Sequence, residues 1–241
     1  MFPIRDHNPS NTRPIVTLGL IAINVAVFVL TAPWLGGMVD LWDQLALYPV
    51  AVAHGQYLWG LLTHMFVHAG LLHLGGNMLF LWIFGDNLED QMGHAGFLVF
   101  YLLGGLAAAG FQMIADIGSG IPMVGASGAI AAVMGGYLLM FPRARVDVVL
   151  IIIILIKIFT IPAWVMLGIW FALQLFSGYS MMGGEAGVAY WAHAGGFAAG
   201  VVLALPVFLR RGGTGFWQAT AGKPPHRPVD YAPTRIPPVS R

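Results

Sequence analysis

Six stretches of the chain are apolar for close to the length of a membrane crossing: 15–34, 69–88, 95–114, 123–142, 158–178 and 187–209. Each is bounded by proline, glycine or charge. About 20 mostly apolar residues cross roughly 30 Å of hydrocarbon as a helix, so the pattern predicts six transmembrane helices. A seventh stretch, Val148 to Ile156, is apolar throughout and largely β-branched, but it ends at Lys157 and Pro162 before reaching spanning length. It reads as an interfacial or re-entrant connector. Segment 35–68 is a long first loop holding Asp40, Asp43, Trp42, Tyr48, Tyr57 and Trp59, a composition that suits a platform at headgroup level. From Gly212 onward six prolines, as in Lys223-Pro224-Pro225 and Ile236-Pro237-Pro238, predict an extended, disordered tail. The expected organisation is a polar N-terminus at 1–14, a six-helix membrane domain at 15–210 and a Pro-rich tail at 211–241. The fold class expected is an all-α polytopic membrane bundle.

Composition excludes the alternative of a soluble domain, since 58% of the 241 residues are apolar and only 9% are charged. A net charge of +1 without a long basic run before the tail leaves no electrostatic footprint for nucleic acid. The absence of cysteine excludes disulfides, thiol catalysis and cysteine-ligated metal. Charge then orients the bundle. Arg5 and Arg13 precede the first stretch, Arg143, Arg145 and Lys157 follow the fourth, and the remaining six positive residues follow the sixth. Six spans put all of them on one side, the inner one, with both termini; the outer loops carry only Asp40, Asp43, Asp116 and Glu185. A seventh span at 148–156 would break that asymmetry. Met1 to Arg13 contains no signal-peptide core, so the first span is expected to be uncleaved, in a membrane of the bacterial cytoplasmic type.

Polar groups inside hydrocarbon are costly and therefore functional candidates. Ser127 lies in Gly125-Ala126-Ser127-Gly128 at the start of the fourth span. His193 lies in Trp191-Ala192-His193-Ala194-Gly195-Gly196 at the start of the sixth, and His73 and Asn77 lie one turn apart at the start of the second. All three spans run from outside to inside, which places the four groups at one depth, roughly 5–10 Å below the outer surface. A serine hydroxyl becomes a nucleophile when a base takes its proton, and neutral imidazole is that base near neutral pH. Ser127 and His193 fit these roles. No acid lies in the outer half of any span to orient His193, so a dyad is expected rather than a triad. His73 and Asn77 can donate to a developing oxyanion beside the Ser127 backbone N–H. Ala192, Gly196 and Gly200 on the sixth span, with Gly128, Ala132, Gly135 and Gly136 on the fourth, let the two backbones approach. His64 and His68 have the i, i+4 spacing of a zinc motif, but Met65, Phe66 and Val67 between them supply no general base, and no metal is expected. Asp86, Glu89 and Asp90 are expected to end the second span and be solvated.

These residues resemble the rhomboid family of intramembrane serine proteases. The resemblance rests on His68-Ala69-Gly70-Leu71-Leu72-His73-Leu74-Gly75-Gly76-Asn77-Met78, on Gly125-Ala126-Ser127-Gly128 and on Ala192-His193 with Gly195-Gly196, in order on three even-numbered spans. It implies a six-helix bundle in which Ser127 is the nucleophile, His193 the general base and His73 and Asn77 the oxyanion side chains. No cofactor is implied, and the partners are transmembrane protein substrates within the lipid bilayer. Two positions depart from the family pattern. Trp59-Gly60 replaces a Trp-Arg pair in the first loop, and Ala131 stands where some relatives carry an aromatic against the catalytic imidazole. The alternatives are a catalytically silent rhomboid-like protein that holds membrane clients, and a transporter lined by His64, His68, His73 and Asn77. The glycine-rich segment Gly183-Gly184-Glu185-Ala186-Gly187 is expected to form a mobile cap over a wet cavity.

Overall fold

A computed structural model of the chain describes residues 2–152, 155–180 and 189–225. The first long helix is α1 (Ile15–Thr31). The first loop then folds into α2 (Val39–Leu45), α3 (Pro49–Ala53) and α4 (Gly60–Thr63). A 3₁₀ turn at His64–Phe66 extends α4, and the chain bends by 91° into α5 (Leu71–Met92). There follow α6 (His94–Ala115), α7 (Ser127–Met140), α8 (Ala163–Ser180), α9 (Tyr190–Arg210) and a short α10 (Thr214–Thr220). Helices α6, α8 and α9 are long and apolar enough to cross a membrane, and α4 with α5 makes a fourth candidate span. The other two apolar stretches are shorter as helices, 17 residues in α1 and 14 in α7.

Helix α7 is apolar all round and lies at the centre. Every residue from Gly128 to Tyr137 is buried, mostly between α9, α6 and α5. Small residues permit this. A Cβ on Gly200 of α9 would stand 2.0 Å from the Ala132 carbonyl oxygen, and one on Gly135 of α7 would stand 2.1 Å from the Phe197 carbonyl oxygen. Backbone meets backbone along this seam, as small-residue stripes allow between helices in lipid.

The chain is not all-α. Strands β1 (Phe2–Asp6), β2 (Arg145–Ile152) and β3 (Leu155–Pro162) form an antiparallel sheet in the order β1-β2-β3. The connector expected at 148–156 is strand at 148–152 and 155–156, within β2 and β3, and 158–162, counted in the fifth apolar stretch, is strand as well; the helix begins only after Pro162. β-branched residues favour this backbone over helix. The polar N-terminal segment also takes part in the fold. Asn8 donates to the Tyr137 hydroxyl at 3.1 Å and its carbonyl accepts from Asn87 at 2.8 Å, tying the segment to α7 and α5.

Asp147, 2% exposed, holds the sheet together. It accepts from Arg5 Nε at 2.6 Å, His7 Nε2 at 2.8 Å and Thr160 Oγ1 at 2.5 Å. Hydrogen bonds from Thr160, then His7 and Arg5, hold its carboxyl well below the ordinary value of 3.8. A depressed acid contributes stability above its unfolded pKa and loses it as pH falls through the folded one. Asp147→Asn should therefore melt below the wild type at neutral pH, and the gap should close as the pH is lowered beneath about 4. Melting curves across pH check this; equal melting at neutral pH would contradict it.

The acids at the end of α5 are not simply solvated. Glu89, buried, accepts from the backbone N–H groups of Val16 and Thr17 at 2.9 Å each, capping the start of α1. Asp90 accepts from Thr12 N at 3.0 Å one turn earlier. Orphan N–H groups and the positive helix end both favour a carboxylate there. The tail also begins in order. The Trp217 indole N–H of α10 donates to the Leu139 carbonyl at 2.9 Å, and Arg143 N donates to the Gly222 carbonyl at 2.9 Å. Residues 226–241, expected to be disordered, lie outside the described residues.

Candidate active site

The serine is delivered by a loop and a helix start. Leu47 and Met123 exchange backbone hydrogen bonds of 3.0 and 2.8 Å, and Gly125 N donates to the His64 carbonyl at 2.9 Å, so the first loop fixes the approach to α7. That loop is itself held by the Trp59 indole on the Gln44 carbonyl at 2.7 Å and by Trp42 on the His68 carbonyl at 3.1 Å. Gly60 of the Trp59-Gly60 pair sits against the Ala46 carbonyl, with 2.7 Å left for a Cβ.

Gly125 has φ +120°, open to glycine and strained for other residues. A Cβ there would also lie 2.7 Å from the His73 ring. Gly128 is constrained by packing, since its Cβ would stand 2.6 Å from Ala108 Cβ on α6. Ser127 is the first residue of α7, where backbone N–H groups lack intrahelical acceptors and the helix dipole is positive.

His193, in the first turn of α9, places Nε2 2.8 Å from Ser127 Oγ. The seam of small residues closes α9 onto α7 and makes this reach available to an imidazole. On α5, His73 and Asn77 lie on the same cavity, of about 480 Å³, as Ser127 and His193. Asn77 is buried, and its Nδ2 has no acceptor among the described residues. The structure therefore brings together all four polar groups singled out in the sequence, on α5, α7 and α9.

Sequence reasoning missed what holds the imidazole. It looked for an acid, or for an aromatic at position 131, whereas Gln174 of α8 places Oε1 2.8 Å from His193 Nδ1. One turn earlier on α8, the Trp170 ring lies 5.9 Å from the imidazole, inclined by 37°. A side chain at Ala131 is not needed for this. The one legible signal was a lone carboxamide in a mostly apolar helix.

The i, i+4 spacing of His64 and His68 does not make a metal face. A 3₁₀ turn and the extended Val67 intervene. His64 turns Nδ1 to the Gly60 carbonyl at 2.8 Å, while the His68 ring packs edge-on against His73 at 5.1 Å. The expected cap, 183–187, lies outside the described residues.

The rhomboid domain profile matches residues 55–210, which include the four cavity residues and both motif glycines. The chain belongs to the rhomboid family. It is 38% identical over 109 residues to the putative rhomboid protease YdcA of Bacillus subtilis, covering 42% of this chain and 51% of that protein. It is 32% identical over 155 residues to the mitochondrial rhomboid protein 1 of Saccharomyces cerevisiae, covering 61% of this chain and 40% of the other. It is 32% identical over 162 residues to the rhomboid protease GluP of Bacillus subtilis, covering 64% and 28%. The match thus spans about half or less of the length of these relatives. Family membership and the apolar helices make the rhomboid chain an integral membrane protein.

Proposed function

We propose that this rhomboid is an intramembrane serine endopeptidase that cleaves transmembrane segments of membrane proteins near the outer membrane face. The observation that carries the reading is the 2.8 Å approach of His193 Nε2 to Ser127 Oγ at a cavity within the helix bundle that His73 and Asn77 also line. Ser127 attacks the scissile carbonyl as His193 takes its proton. His193 then returns the proton to the leaving amine, and water hydrolyses the acyl-enzyme by the same steps in reverse. The oxyanion is met by Asn77 Nδ2, His73 and the backbone N–H groups at the start of α7, donors fixed before the reaction begins. The chemistry runs on these side chains and backbone groups without a cofactor.

Six spans with both termini inside set the depth of the site. Fourteen helical residues rise about 21 Å, short of the roughly 30 Å of hydrocarbon. With the inner end of α7 at the inner surface, Ser127 lies about 9 Å below the outer one. The membrane is of the bacterial cytoplasmic type. A substrate helix approaches laterally beside α8 and unwinds at the cavity, favouring small residues at the scissile bond. Residues 1–14 and 211–241 lie on the inner side, flanking the catalytic domain.

The test is cleavage of single-span reporter proteins co-reconstituted in liposomes, with products sized by mass spectrometry. A cut within or just outside the outer third of the span is expected. Products cut at the inner face, or no product from any reporter with a folded enzyme, would contradict the reading and favour client binding or transport. In the same assay Asn77→Ala should lower kcat by about 10²–10³-fold, with less loss if His73 compensates. An unchanged kcat would remove Asn77 from the oxyanion site.

A further inference from the structure

Ser127, His193 and Gln174 form one hydrogen-bonded line across three helices: Oγ to Nε2 at 2.8 Å on one edge of the ring and Nδ1 to Oε1 at 2.8 Å on the other. A neutral imidazole has one protonated nitrogen and one basic nitrogen, and the partner at the first edge decides what the second can do. Nε2 accepts the serine proton only when the ring proton sits on Nδ1. That tautomer needs an acceptor at Nδ1, and the amide oxygen of Gln174 is an acceptor with no donor capacity. Were the amide nitrogen turned to Nδ1, the ring proton would move to Nε2 and the base would be lost.

We propose that Gln174 is a positioning residue that fixes the Nδ1–H tautomer and the ring orientation of His193, acting as a neutral third member behind the dyad. The assignment rests on the protease reading for its catalytic meaning, but the tautomer it sets is a property of the folded protein. Trp170 and Gln174, four residues apart, share one face of α8, so the same helix restrains the plane of the ring and its rotation. A neutral holder differs from a carboxylate in one respect: it orients the imidazole without stabilising imidazolium by charge. The other titratable groups on the cavity, His64 and His73, are imidazoles as well and stay unchanged in the test.

The experiment compares the wild type with Gln174→Leu and Gln174→Glu. In the Ser127→Ala background, ¹⁵N spectra of labelled histidine should show His193 as the Nδ1–H tautomer when Gln174 is present and as a mixture of tautomers in the Gln174→Leu variant. In the active enzyme, Gln174→Leu should lower kcat on the order of 10–100-fold with KM unchanged, the usual effect of losing a partner that orients a histidine. Gln174→Glu should recover most of that rate and move the acid limb of the pH profile upward, because a carboxylate stabilises imidazolium. An unchanged tautomer in Gln174→Leu would overturn the proposal. So would equal rate and melting losses in both variants, which mark a packing role. A wild type that holds the Nδ1–H tautomer yet cleaves nothing would sink the protease reading and leave the positioning role of Gln174 standing.

Discussion

Ser127→Ala and His193→Ala should each lower cleavage by at least about 10⁴-fold, and the double variant should be no worse than the more damaging single one. A nucleophile and its base act as a unit, so their losses do not add. The fold should survive both changes. Ser127 Oγ and His193 Nε2 share one hydrogen bond at the edge of a cavity, worth roughly 1 kcal/mol net. The seam of α7 and α9 is made by other residues, and melting temperatures should stay near the wild type. Rates from the reconstituted reporter, beside melting of the same preparations, decide it. Losses that multiply in the double variant, or a single variant that unfolds, would mean that the pair is structural glue rather than a reacting unit.

The second large effect concerns that seam. Gly200→Val should abolish folding or lower stability by more than the ~1–3 kcal/mol usual for an overpacked core. The reason is the identity of the obstacle. A Cβ at Gly200 meets the Ala132 carbonyl oxygen at 2.0 Å and its Cα at 2.5 Å, backbone atoms that cannot swing aside as a flexible side chain would. Separating α9 from α7 to relieve the clash also separates His193 from Ser127, so activity should vanish even in folded material. Gly168→Ala on α8 is the control, since a Cβ there meets nothing within 4 Å and alanine is the better helix former. Melting in detergent and residual cleavage measure both variants. A Gly200→Val enzyme with wild-type melting would show that the helices do not pack as described.

What the sequence made legible follows from how strong each local signal is. Long apolar runs marked α1, α5, α6, α7, α8 and α9 because lipid demands length and apolarity of any helix that crosses it. Ser127, His193, His73 and Asn77 were legible because polar groups are conspicuous against such a background. The sheet was not. Val148 to Ile156 carries no alternation of polar and apolar residues to mark a strand. Its partner β1 is more than a hundred residues away, in a segment that reads only as a polar N-terminus until Asp147 is placed beside Arg5 and His7. Glu89 looked like a solvated helix end because its cap on Val16 and Thr17 is a tertiary contact. Gln174 was passed over for a similar reason. A search for acids does not find an amide, and only the packing of α8 against α9 reveals that its oxygen faces His193.

The central claim, an activated Ser127 served by His193, is tested most directly by intact-mass analysis after treatment with a fluorophosphonate, which phosphonylates a serine only when a base has activated it. The folded wild type should gain one adduct, mapped to Ser127 by peptide mass, while Ser127→Ala and His193→Ala should gain none. A folded wild type that stays unmodified, or a Ser127→Ala protein that labels equally, would contradict the account.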